Sequence, residues 1–294
     1  MAEQPRPETR DPRPVRKIAI LGVGLIGGSL GMALRANGVA ESVVGWDADV
    51  LTNAAAIERT AVDSMTDSAE TAVDGADLVF LAPPTESIIP LLSFVAPAIP
   101  KSAVVTDVGS TKSRIVKQAE EILGGQFVGG HPMAGLEESG ITAASPTLFQ
   151  GAAWILTPTN GTSGETLQAV QSVVSRIGAR PRLCDPETHD RIVAFISHLP
   201  HLLAYGLADS AGRHVAEEWA DLTAGSYRDG ARVALSNPSK WVEILLDNRD
   251  AAGEALDSVI TWAGQAREAL RTGDRDVLTQ LLGDAHQARK RFPR

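Results

Sequence analysis

An α/β fold, with a Rossmann-type doubly wound and mainly parallel sheet followed by an all-helical second domain, is predicted by three observations in the sequence. Short apolar runs alternate with amphipathic stretches from Lys17 to about residue 183, a glycine-rich turn follows the first of these runs, and only helical patterns remain beyond residue 184. Parallel neighbours need a covering crossover, so strand and helix in strict alternation imply a sheet covered on both faces. A chain of 294 residues is long enough for two such units.

The first sixteen residues, rich in Pro and Arg and without an apolar stretch, are predicted to form a disordered tail. A nucleotide-binding domain is then expected over residues 17–183. Its strands are "KIAIL", "SVVGW", "ADLVFLAPP", "AVVTDVGS", "QFVGG" and "AAWILTP", with helices such as "GGSLGMALRANG" and "TESIIPLLSFVAPAI" between them. Residues 184–294 are expected to form the helical domain. Pro186 stands where a first turn would begin, and "GSYRDG", "SNPSK" and "RTGD" break the pattern into separate helices.

Composition narrows the function. The net charge of −9 argues against a nucleic-acid or membrane-surface binder, and no apolar run in the sequence approaches the roughly 20 residues that cross a bilayer. The single cysteine, Cys184, excludes an internal disulfide and a cysteine-cluster metal site, which suits a reducing cytoplasm. No metal ligand set is expected.

"KIAILGVGLIGGSL" places Gly22, Gly24 and Gly27 in G-x-G-x-x-G spacing between a strand and a helix. Gly22 permits a tight turn, Gly24 lets backbone approach a pyrophosphate, and Gly27 allows close helix–strand packing. The second strand ends in Asp47, 20 residues beyond Gly27, where an acid meets ribose hydroxyls and repels a 2′-phosphate. NAD is therefore expected rather than NADP. Leu25 and Ile26 in the turn and Pro83 after the third strand complete the candidate cofactor contacts. A glycine-rich turn without a ligand is the weaker alternative, because strand, turn, helix and acid are all in register.

Ligands of such sheets lie beyond the carboxyl ends of the strands. Three polar loops end there: "LAPPTES", "VVTDVGSTK" with Asp107, Gly109, Ser110 and Lys112, and "FVGGHPMAG" with His131. Histidine suits a base near neutrality, with a pKa of about 6.5 in water. Ser110 serves equally as a cap for the helix beginning "TKSRIV".

"TDVGSTK", "GGHPMAGLEESG", "HDRIVAFISHLPHLLA" and "GSYRDGARVALSNPSKW" resemble, in order and spacing, the prephenate and arogenate dehydrogenases of tyrosine biosynthesis. The resemblance implies oxidative decarboxylation of prephenate with NAD, a small-molecule substrate held between the domains, and a homodimer formed through the helical domain. Arogenate is the alternative substrate. Carried over by position, the catalytic residues are His131 and Ser110, and the substrate contacts are Glu137, His201, Asp229 and Arg232. The family's threonine before that arginine is Ala231 here, which removes a hydroxyl. Neither a chorismate mutase segment in front nor an ACT domain behind is expected. His198 is expected to be structural, and Glu138 a solvated side chain.

Two other classes compete. A β-hydroxyacid dehydrogenase shares the architecture but would show a catalytic lysine in the first long helix of the second domain, where "HDRIVAFISHLPH" has none. A non-catalytic NAD sensor would leave the three polar loops without a purpose.

Overall fold

The computed structural model describes residues 15–136 and 138–292. The predicted tail lies outside the described residues except for Val15 and Arg16, which already belong to the first strand. The nucleotide-binding half runs β1 (Val15–Leu21), α1 (Leu25–Ala36), β2 (Ala40–Trp46), α2 (Val50–Glu58), β3 (Ser64–Met65), α3 (Ala69–Val73) and β4 (Leu78–Leu81). It continues with α4 (Ile88–Val95), β5 (Val104–Asp107), α5 (Ser113–Leu123), β6 (Phe127–Pro132), β7 (Ala153–Thr157), α6 (Gly164–Arg176) and β8 (Arg180–Leu183).

The strand order is β3-β2-β1-β4-β5-β6-β7-β8, and every neighbouring pair is parallel except β6 and β7. Alternate side chains of a strand face opposite sides, so each strand feeds two cores. Ile18, Ile20, Phe80 and Trp154 pack with Leu30, Leu34 and Val170 on one face. Ala19, Leu21, Val79, Leu81 and Val105 pack with Leu92, Ile115 and Val116 on the other. This double burial explains why the central strands read as unbroken apolar runs.

The strands stop at Leu183, and α7 (Pro186–Val193) begins after the N-cap Asp185, which accepts from the Thr188 N–H. A π-helical turn over Ala194–His198 joins α7 to α8 (Leu199–His214). Then come α9 (Gly225–Ala231), α10 (Pro238–Asp247), α11 (Arg249–Thr272) and α12 (Arg275–Lys290). Asn237 and Asp274 cap the starts of α10 and α12, so "SNPSK" and "RTGD" act as helix boundaries. "GSYRDG" does not. Its residues lie within α9.

The continuous helical run Pro186–His214 corrects the expectation about apolar length, since its most apolar window reaches a mean hydropathy of 1.3, enough by composition to cross a membrane. The polar interruptions spread through the run hide it from a scan for unbroken apolar residues. Phe195, Ile196, Leu203 and Leu207 are exposed along it, while His189, Asp190 and His198 are buried. The run therefore exposes several large apolar side chains, while its buried side mixes His189, Asp190 and His198 with Val193, Ala194 and Leu199, the last two packed on Ala255 of α11.

Candidate active site

The glycine turn is built as its spacing predicts. Gly22 has φ +95°, and a Cβ there would sit 2.6 Å from the Ala82 carbonyl carbon. At Gly27 a Cβ would meet the Gly22 carbonyl oxygen at 1.9 Å, so only glycine lets α1 pack against the turn. A Cβ on Gly24 would meet nothing within 4 Å, which leaves backbone facing open space at the N-terminus of a helix with no side-chain cap. That is the environment a pyrophosphate needs. Gly24, Leu25, Ile26, Pro83, Thr85 and Gly109 line a cavity of about 370 Å³.

Asp47 lies at the end of β2, outside that lining. One carboxylate oxygen accepts from the Val23 N–H at 2.7 Å and the other from the Asp49 N–H at 2.9 Å. Each oxygen keeps a second lone pair for a ribose hydroxyl. Replacing Asp47 with Ala should weaken NAD binding and narrow its advantage over NADP, because a turn anchor and a phosphate repellent disappear together. Titrating parent and variant with both dinucleotides measures this, and a parent that binds NADP more tightly would reverse the assignment.

A second cavity, of about 320 Å³, is lined by Ser110, His131, His201, Arg232, Lys240 and Trp241 among others. Ser110, His131 and Lys240 border both cavities. Glu138 does so as well, although its side chain is exposed as expected.

The loop residues divide by role. Asp107 and Lys112 are fully buried and ion-paired with each other, and Asp107 also accepts from the Gly109 N–H at 2.8 Å and the Gly130 N–H at 3.0 Å. This pair ties the β5 loop to β6. It also explains the glycines before His131, since a Cβ on Gly130 would lie 2.5 Å from the Asp107 carbonyl oxygen and one on Gly129 would lie 2.4 Å from Thr157 Oγ1. Ser110 caps no helix. The helix start falls at Lys112, whose N–H, with that of Ser113, donates to the Asp190 carboxylate at 2.7 and 2.8 Å.

His131 is half-buried on β6, opposite Ile155 of β7. Its Nδ1 lies 2.8 Å from His189 Nε2, and His189 Nδ1 lies 2.8 Å from Asp190 Oδ1. Burial, with help from nearby positive charge including Lys112, holds the His131 pKa well below 6.5. His189 and Asp190 were not singled out from the sequence. Only their adjacency in the short, largely polar helix α7 marks them.

His201 stacks on Trp241, with ring centroids 3.5 Å apart, and its Nδ1–H donates to the Ser197 carbonyl at 2.9 Å. Burial lowers its pKa, so the neutral ring presents Nε2 to the cavity as an acceptor. Arg232, just past α9, faces the same cavity. Asp229 is exposed on α9 and lines neither cavity, so the structure does not bring it to the others. Ala231 is buried beside Arg232 and lines neither cavity, so the hydroxyl it lacks would face packing. Glu137 lies outside the described residues.

His198 is structural, as expected, with Asn248 Nδ2–H donating to its Nδ1 at 3.2 Å. Burial pushes its pKa down to about 4. Unfolding returns it to about 6.5, so the unfolded chain binds more protons between those values and stability falls as pH drops through that window. This residue alone contributes a loss of roughly 3 kcal/mol between pH 7 and pH 4. Urea unfolding at the two pH values measures it, and equal stabilities would place His198 in solvent.

Comparisons with known proteins agree with this arrangement. The family model "Prephenate dehydrogenase, nucleotide-binding domain" matches residues 30–183, and "Prephenate dehydrogenase, dimerization domain" matches residues 185–284. Prephenate dehydrogenase of Bacillus subtilis is 34% identical over 283 residues, which is 94% of this chain and 76% of that protein. Prephenate dehydrogenase of Aquifex aeolicus, solved with hydroxyphenyl propionate and NAD+, superposes with a TM-score of 0.87 at 30% identity, covering 94% of this chain and 98% of that one. Synechocystis arogenate dehydrogenase gives 0.81 at 31% identity, covering 94% and 100%. An eight-stranded Rossmann-type sheet, a helical domain closing the cleft and matches spanning both halves lead to one conclusion: the chain belongs to the prephenate dehydrogenase family.

Proposed function

We propose that the protein oxidises and decarboxylates prephenate to 4-hydroxyphenylpyruvate with NAD. The observation that carries this is the position of Ser110 and His131 on the wall shared by the glycine-turn cavity and the cavity that holds Arg232 and Lys240. A ring bound across that wall meets cofactor on one side and cations on the other.

Ser110 holds the ring hydroxyl, and His131 Nε2 takes its proton. NAD, when bound, accepts the hydride leaving the same carbon. The bond to the ring carboxylate then breaks, CO₂ departs, and His131 returns the proton to the phenol oxygen. Aromatisation supplies the driving force, so the protein's main task is to orient the substrate. Prephenate carries two carboxylates, and Arg232 and Lys240 offer two cations.

A second reading has one observation in its favour. A neutral donor at His201 would suit the keto group of prephenate, but the ring offers an acceptor, which suits the ammonium of arogenate. Comparing kcat/KM for both compounds at saturating NAD decides between them, and a tenfold preference for arogenate, about 1.4 kcal/mol, would overturn the assignment.

The partner of the exposed apolar face on the Pro186–His214 run is a second copy of the chain, a homodimer that suits the dimerization model matched there. Light scattering of the purified protein reads its mass. The lone Cys184 suits a cytoplasmic setting.

A further inference from the structure

The buried groups behind His131 form a chain whose protons can be assigned from geometry. Asp190 meets three donors: the Lys112 N–H at 2.7 Å, the Ser113 N–H at 2.8 Å and His189 Nδ1 at 2.8 Å. Burial raises its pKa, but the hydrogen bonds from His189, Ser113 and Lys112 outweigh that and hold it below the usual carboxylate range. Asp190 is an anion that only accepts.

His189 is completely buried, and burial is the largest cause of its lowered pKa, so the ring is neutral. Its one proton must lie on Nδ1, because a bare nitrogen 2.8 Å from a carboxylate oxygen would set lone pair against lone pair. Nε2 is then bare. The 2.8 Å contact from it to His131 Nδ1 requires a proton between them, and His131 must supply it. His131 therefore carries its proton on Nδ1 and presents a bare Nε2 to the cleft, the opposite of the tautomer a free histidine favours in water.

We propose that His189 and Asp190 are positioning residues that lock His131 in its base-competent tautomer and share the positive charge it gains during turnover. The proposal rests on His131 being the base. It extends the logic of a histidine base oriented by a carboxylate, with a second imidazole inserted between them. Asp190 also caps α5 of the sheet domain from α7 of the helical domain, so docking of the two domains and orientation of the base depend on one carboxylate. An apolar residue at position 189 would leave the His131 Nδ1–H without an acceptor and the ring free to turn.

Nitrogen NMR of the histidine rings in the full-length protein tests this. At pH 7.5 the His131 signals, identified by their absence in His131→Asn, should be those of an Nδ1–H imidazole with an unprotonated Nε2. In His189→Leu they should move toward the Nε2–H form, and kcat for prephenate should fall about 10²-fold or more, short of the ~10⁴ seen when a triad loses its tautomer. KM for prephenate and Kd for NAD should stay within about threefold. His189→Gln, which keeps an acceptor opposite His131, should recover kcat to within about tenfold of the parent.

An Nε2–H signal for His131 in the parent overturns the proposal without any variant having to fold. A His189→Leu enzyme with parental kcat overturns it equally. A parent that shows the Nδ1–H tautomer yet does not turn over prephenate would refute the substrate assignment and leave the tautomer lock standing.

Discussion

Replacing His131 with Asn should lower kcat by at least the ~10²-fold typical of a lost general base, with KM for prephenate changed only by a small factor. Asn keeps a polar group at the cavity wall, so binding survives while proton transfer does not. Steady-state rates at saturating NAD give both constants, and an unchanged kcat would remove His131 from the mechanism. The structure also revises the pH dependence expected from a free histidine. Because burial lowers the His131 pKa well below 6.5, the base is neutral across the physiological range. The acid limb of kcat/KM should accordingly lie below pH 6.5, with a plateau above it. A limb centred at 6.5 would mean that the ring is solvated in the free enzyme.

Replacing Arg232 with Ala should act on the other constant. A charge-assisted hydrogen bond contributes about 1.5–3 kcal/mol, which corresponds to roughly a 10- to 150-fold rise in KM for prephenate. The rate at saturation should move much less, since Arg232 faces the cavity that His131 and Ser110 share but carries no proton in the reaction. The KM for NAD separates anchoring from collapse of the cleft, because Arg232 does not line the glycine-turn cavity. A KM for prephenate that stays at the parental value would place the anchor elsewhere, with Lys240 the next candidate at the same wall.

Local patterns carried most of the fold. The double burial of the central strands wrote itself as unbroken apolar runs, and each glycine of the turn answers to a contact or an open space that its spacing anticipates. The helix starts at Asp185, Asn237 and Asp274 were legible for the same reason, since a cap acts over three or four residues. Where the pattern misled, as at "GSYRDG", packing against α8 outweighs the weak helix propensity of two glycines.

The site was legible only in part. The glycine turn is marked by local spacing, whereas His131 and Ser110 stand in polar loops at the ligand end of the sheet and are nominated as catalytic by the resemblance to the prephenate and arogenate dehydrogenases. What the sequence could not supply was the function of Asp107 and Lys112, which stand in a polar loop at the ligand end of the sheet but are consumed in a buried ion pair, or of Asp190, 78 residues from the helix start it caps. His201 shows the same limit, because whether a ring nitrogen donates or accepts depends on the Ser197 carbonyl that fixes the other nitrogen. The sequence by itself determined the class of fold and the phosphate-binding turn, which depend on neighbours within a few residues, and its resemblance to a known family nominated His131 as the base. Only the tertiary structure decided protonation and tautomer, because those depend on burial and on partners that the chain brings together from distant segments.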